Sequence, residues 1–138
     1  MNPCAHGDCE MRTVLPATLP AVEEFFAEFR RRSRAMLDRA NSFVAELLVR
    51  EALTNAVVHG CQADPNKQIR CVLRLRLRNR RLLIAVEDDG DGFDWRAALR
   101  NSAAFSDCSG RGLAILRMYA SRIRYSSRGN LVTIIRRF

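Results

Sequence analysis

The sequence predicts an α+β fold, a two-layer sandwich with helices on one face of a mainly antiparallel sheet. Three observations carry that expectation. Two segments with helical periodicity occupy the first sixty residues. A period-two run, Arg70 to Arg78, then meets a second strand-like run, Leu82 to Glu87, across Asn79 and Arg80. Two further strand-like runs close the chain around a glycine turn. Strands joined by such short turns pair antiparallel.

The elements follow in order. Residues 1–10 read as a flexible tail and residues 11–138 as one domain. Arg12 to Ala17 is a short strand. Pro20 starts a helix, because proline suits the first turn. Val22, Phe25, Phe26 and Phe29 share one face of it, with Glu23, Glu24 and Glu28 elsewhere, and it ends in the basic stretch Arg30 to Arg34. A second helix runs from about Ser42 to His59 and stops at Gly60. It is apolar almost all round, which predicts burial. Asp64, Pro65 and Asn66 mark a turn. In the next run Cys71, Leu73, Leu75 and Leu77 alternate with Arg70, Arg74, Arg76 and Arg78, the pattern of a half-buried strand. Asp88-Asp89-Gly90-Asp91-Gly92 breaks the following strand. A polar segment, Trp95 to Ser109, leads to Gly110-Arg111-Gly112, which opens a third helix, Leu113 to Ala120. The last strands, Ile123 to Ser127 and Leu131 to Arg136, flank Arg128-Gly129-Asn130.

Composition narrows the function classes. The chain has 138 residues, 48% apolar and 28% charged, as expected of a globular domain rather than a disordered one. No apolar run approaches the roughly 20 residues of a membrane helix. The polar start, Met1 to Glu10, does not read as a secretory signal, so a cytoplasmic location is expected. Five cysteines at irregular spacing argue against a disulfide framework. Cys4, His6 and Cys9 cluster near the N-terminus without a fourth ligand at zinc-like spacing. The net charge of +8 suits an anionic partner without choosing one. A nucleic-acid role is not expected, because the arginine row lacks interleaved aromatics.

Three short motifs carry chemistry. Glu51 and Asn55 are four residues apart, so they share one helix face, about 40° apart around its axis. A carboxylate and an amide among Val44, Leu47 and Val58 are costly unless satisfied, and a metal with water would satisfy them. The amide oxygen of Asn55 is a hard ligand suited to Mg²⁺. Glu51 is placed to orient or deprotonate a nucleophile. The alternative is a helix edge or a hydrogen-bonded core pair. In the second motif Asp88 ends a strand, where it can accept from an exocyclic amine, and Gly90 and Gly92 let a ligand approach the main chain. The alternative is a tight acidic turn. In the third, Gly110, Arg111, Gly112 and Leu113 stand at a helix start, whose N–H groups suit phosphate. Neither the Walker A pattern nor the Rossmann fingerprint is present.

Taken together and in this order, Glu51-Ala-Leu-Thr-Asn55-Ala-Val-Val-His59-Gly60, Val86-Glu-Asp88-Asp-Gly90-Asp-Gly92-Phe-Asp94 and Gly110-Arg-Gly112-Leu-Ala-Ile115 resemble the nucleotide boxes of the GHKL (Bergerat-fold) ATPases. The resemblance runs from about Arg12 to Arg137, and within that superfamily the chain is most similar to the RsbW-like anti-sigma factor serine/threonine kinases. The resemblance implies ATP and Mg²⁺ as cofactors, with Asn55 at the metal and Glu51 as catalytic base. It implies that Asp88 contacts the adenine amine and that Gly90, Gly92, Gly110 and Gly112 shape the pocket, with a lid between the last two boxes. It further implies a regulatory kinase that phosphorylates an anti-sigma antagonist and holds a sigma factor or other target; small relatives often form homodimers. Two departures stand out. Cys108 and Ser109 occupy a lid position that is often basic, leaving Arg111 or Arg100 to supply the charge. Leu131 stands where many relatives have threonine near adenine. The departures favour a non-catalytic ATP-dependent switch as the alternative. The ATP-binding part of a histidine kinase fits less well, because only His6 and His59 are available as phosphoacceptors.

Overall fold

A computed structural model describes residues 7–91 and 108–138, with backbone alone at 108–113. The elements are β1 (Asp8–Pro16), α1 (Leu19–Ser33), α2 (Arg39–Asn55) continued by a π-helical turn (Ala56–Gly60), β2 (Gln68–Arg76), β3 (Arg81–Asp88), α3 (Cys108–Tyr119), β4 (Arg122–Tyr125) and β5 (Leu131–Arg137). The five strands form one sheet in the order β1-β2-β3-β5-β4. Every neighbouring pair is antiparallel. This is the predicted α+β architecture.

Alternation decides the two sheet faces. One cross-strand row is Met11, Leu73, Ile84, Ile134 and Ile123. A second is Thr13, Cys71, Val86, Val132 and Tyr125. These side chains form the inner face, where Leu73, Ile84 and Ile134 are fully buried. Burial of each such side chain is worth about 1.5–3 kcal/mol. The helices cover that face: α1 packs on β1, α2 on β3 and α3 on β4. Burial pushes the Cys71 thiol up to about 12, so it behaves as a core hydrophobe.

Helix starts have identifiable causes. The Thr18 hydroxyl accepts from the Ala21 N–H at 3.4 Å, and Pro20 sits in the first turn of α1. Asp38 caps α2 by accepting from the Asn41 N–H at 2.8 Å, so that helix begins three residues before the expected start. Arg50 ties α2 to α1, stacking 4.2 Å from the Phe26 ring centre and bonding Glu23 at 2.5 Å.

Some expectations need correction. β1 begins at Asp8, so Asp8 to Glu10 are strand and not tail; Cys9 and Met11 already alternate inward there. Cys9 is therefore a core residue rather than part of a tail metal site. Cys4 and His6 lie outside the described residues. The second helix is not buried all round. Its buried stripe is Ala45, Leu48, Val49, Ala52 and Leu53, while Phe43 is 61% and Val58 42% exposed. The sheet and the flanking helices α1 and α3 cover part of α2, and Phe43 and Val58 lie outside that cover. Finally, α3 begins at Cys108, so Gly110, Arg111, Gly112 and Leu113 lie inside its opening turns rather than before them. Glycine costs roughly 1 kcal/mol in a helix interior but does not forbid it.

Candidate functional site

Glu51 and Asn55 lie in the last turns of α2, and both are half-buried. Among the described residues neither side chain makes a hydrogen bond or an ion pair. The alternative of a hydrogen-bonded core pair therefore does not hold. Burial pushes the Glu51 carboxyl above its ordinary value of 4.5, against a smaller opposing pull from Arg50. A raised pKa makes a carboxylate a stronger proton acceptor, the property a general base uses.

Beyond Asn55 the helix widens. The Cys61 N–H donates to the Ala56 carbonyl at 2.8 Å, a five-residue step that defines the π-helical turn. Such widened turns occur frequently at functional sites. Here the turn delivers Gly60 to the end of β3. A Cβ on Gly60 would lie 2.8 Å from Asp88 Oδ1 and closer still to Oδ2. A Cβ on Gly90 would lie 2.6 Å from the Gly60 carbonyl carbon and overlap its oxygen. The three residues interlock, and two of them must lack side chains for the third to sit where it does.

Asp88 is 7% exposed at the end of β3, in the inner-face row that contains Leu15 and Ile69. Its Oδ1 accepts from the Gly90 N–H at 2.8 Å. No described residue donates to Oδ2. Burial pushes this carboxyl above 3.8, while the Gly90 N–H pulls the other way. Asp89 has the opposite orientation. Its carboxylate accepts from the Gln68 N–H at 3.1 Å and from Arg70 at 3.0 Å on the outer face. The paired acids thus divide into one facing the helix layer and one held outside it.

The site has a neighbour that sequence reasoning misplaced. Leu131 pairs with Glu87 on the outer face and so cannot stand beside an adenine near Asp88. Asn130 stands there instead, its carbonyl accepting the Asp88 N–H at 2.9 Å and its Oδ1 accepting from Ser126 Oγ at 3.1 Å. Strand parity, counted back from buried Ile134, was the signal that could have found it.

Glu51, Asn55, Gly60, Asp88 and Gly90 thus fall on the end of α2, the turn that follows it and the end of β3. The backbone of Gly110 to Leu113 belongs to α3, which packs against α2. Gly92, Asp94 and Arg100 lie outside the described residues, as do the side chains of Arg111 and Leu113. Among the described residues no three His, Cys, Asp or Glu side chains cluster as a metal cage. Mg²⁺ does not need one, because it keeps waters and takes phosphate oxygens beside one or two protein ligands. An unpartnered amide oxygen at Asn55 and an unpartnered carboxylate oxygen at Asp88 fit a magnesium nucleotide.

Comparison with known proteins bears on this arrangement. Residues 13–136 match the histidine kinase-like ATPase domain. The anti-sigma F factor of Shouchella clausii (strain KSM-K16) is 29% identical over 107 residues, 73% of this chain and 72% of that protein. Among solved structures, the histidine kinase domain from the Erythrobacter litoralis EL346 blue-light activated histidine kinase is similar with a TM-score of 0.53 at 15% identity. That match covers 88% of this chain, whereas this chain spans 60% of that one, and it speaks to the fold.

Proposed function

The chain belongs to the histidine kinase-like ATPase family, and from that premise we propose that it is a magnesium-ATP-dependent serine/threonine protein kinase acting as an anti-sigma factor in a partner-switching pathway. The observation that carries the reading is the pair Glu51 and Asn55, half-buried one helical turn apart and without protein partners among the described residues. The similarity to an anti-sigma F factor supports the regulatory role. We take the chain from Asp8 onward to act as one domain. No helix among the described residues is long and apolar enough to cross a membrane, which is compatible with the cytoplasmic location such a role requires.

In this mechanism Asp88 accepts from the adenine amine through Oδ2, while Gly90 holds Oδ1. Asn55 would hold the metal through its amide oxygen. Gly110, in the first turn of α3, would offer its backbone N–H to the phosphates, Gly112 in the next turn would leave room for their approach, and Arg111 would contribute charge. Mg²⁺, when bound, neutralises the phosphate charge that develops during transfer. Glu51 takes the proton from the serine or threonine hydroxyl of the antagonist.

A non-catalytic ATP-dependent switch is the second reading, favoured by Cys108 and Ser109 in place of a basic lid residue. Co-purification from native cells, followed by labelled ATP, separates the two. Label on a serine or threonine of a co-purified protein supports the kinase. ATP binding without transfer supports the switch. A purified chain that binds no adenine nucleotide defeats both.

A further inference from the structure

The outer face of the sheet carries a charge pattern that the nucleotide site does not use. Strand register puts Arg76 opposite Arg81 and Arg81 opposite Arg137, so three guanidinium-bearing side chains stand in one row across β2, β3 and β5. Adjacent strands lie roughly 5 Å apart, which makes this a compact cationic row. Like charges directly opposite one another destabilise a sheet. Asp8 ends the row opposite Arg76 but forms no ion pair with it. On β4, Arg122 and Arg124 extend the positive charge along the same face. Other arginines of this face are neutralised: Arg70 by Glu87 and Asp89, and Arg12 and Arg74 by Glu10. Arg76, Arg81, Arg122, Arg124 and Arg137 have no ion pair with any described residue.

The row stands at the hairpin end of β3, and Asp88 is at the other. Seven residues of strand separate Arg81 from Asp88, or roughly 23 Å at the usual rise. The row also stands on the outer face, whereas Asp88 belongs to the buried inner face with the helix layer, so the sheet itself separates the row from the nucleotide site. Beside it lies an apolar centre, with Leu83 opposite Ile135 and Val72 opposite Ala85, all half-buried and on the face away from the described helices. An apolar centre flanked by arginine is the composition of a protein interface. A nucleic-acid surface is more polar and, for single strands, offers aromatic side chains for stacking; this face has none in its strand positions.

We propose that the hairpin end of the outer sheet face docks an acidic protein segment that carries an apolar strip. The surface is independent of the nucleotide reading, so either can fail without the other.

The test uses the full chain and a synthetic amphipathic peptide, glutamate along one side and leucine along the other, at physiological ionic strength. Calorimetry gives the affinity, and amide shifts in NMR give the location. Binding should shift Leu83, Ile135 and their neighbours. Replacing Arg76→Gln, Arg81→Gln and Arg137→Gln together should weaken binding roughly tenfold, the sum of three partly exposed charge pairs. The same variant should melt no lower than wild type, since a repulsive row has been relieved. Removing equal charge from the end of α1, with Arg30→Gln, Arg31→Gln and Arg34→Gln, should leave affinity unchanged. The proposal is overturned if the peptide does not bind, if both triple variants weaken it equally, or if a serine-for-leucine peptide binds as well. It is also overturned if random duplex DNA outcompetes the peptide, which would make this a nucleic-acid face. A wild-type dimer that the first triple variant converts to monomer in light scattering would make it a self-association surface instead.

Discussion

Gly60 and Asp88 occupy space that only one of them can fill: a Cβ on the glycine would stand 2.8 Å from Asp88 Oδ1 and nearer to Oδ2. The end of a helix and the end of a strand are thereby locked together, and the carboxylate has one place to go. Gly60→Ala should therefore destabilise the chain by about 1–3 kcal/mol, the usual cost of overpacking. It should also weaken ATP binding by moving the carboxylate. Asp88→Ala removes the colliding atoms, so in the double variant Gly60→Ala should cost much less. Denaturant melts of the four proteins give the coupling, expected at about 0.5–3 kcal/mol for residues in contact. Strict additivity would mean that the two positions do not share this space.

Asp88 and Asp89 should behave oppositely despite being neighbours. Asp88→Asn replaces the acceptor at Oδ2 and should cost about 1.5–3 kcal/mol of ATP affinity, the worth of a charge-assisted hydrogen bond. Wild type should prefer ATP to GTP, because guanine presents a carbonyl at that edge. Asp89→Asn should leave nucleotide affinity near wild type, since its carboxylate is held outside by Arg70 and the Gln68 N–H. The two variants differ in stability as well. The folded-state pKa of Asp88 is raised by burial. Its contribution to stability is therefore complete below the unfolded value and is lost as pH rises through the folded one. At neutral pH the Asp88→Asn variant, which has no charge to bury there, should melt higher than wild type in the absence of nucleotide. Titration calorimetry with both nucleotides, and melts across pH, check these outcomes.

The division between these acids shows how far the sequence could be read. Alternation placed Cys71, Leu73 and Leu75 inward correctly, because one face of the sheet is buried and period two is strict there. The same count carried to Asp88 puts it inward with Ile84 and Val86. At β5 an error of one residue chose Leu131 instead of Asn130, and in a strand one residue is the difference between two faces. The Glu51–Asn55 spacing was legible because helical period is regular. The π-helical turn was not, since a five-residue hydrogen-bond step leaves no distinct apolar period in Ala56 to Gly60. The exposure of Phe43 was also hidden: an apolar sequence says what a helix can bury, and the number of covering layers says what it does bury.

Asn55 is expected to matter through the metal alone. Its side chain has no hydrogen bond with a described residue, so truncation breaks none there. Alanine is also the better helix former. Asn55→Ala should therefore melt at or above the wild-type temperature while losing most of the Mg²⁺ dependence of ATP binding. Calorimetry with and without the metal reads this directly. Wild-type affinity and wild-type metal dependence in that variant would remove Asn55 from the site.

Glu51 is the residue on which kinase and switch diverge. Its carboxyl is raised above 4.5 by burial, with no hydrogen-bond or ion-pair partner among the described residues to hold it. Only the ionised form can take a proton, so phosphoryl transfer should rise with pH through that raised value and then level. Glu51→Gln keeps the shape and loses the basicity. It should bind ATP and the antagonist as wild type does, yet transfer phosphate about 10²–10⁴-fold more slowly. The rising limb of the pH profile should disappear with it. Single-turnover labelling of the antagonist across pH measures both effects. A slow variant that retains the limb would assign the titration to another group, with Glu51 acting by position alone. A variant as fast as wild type would leave the proton without a base at this position, and the mechanism would have to be rebuilt around a different residue.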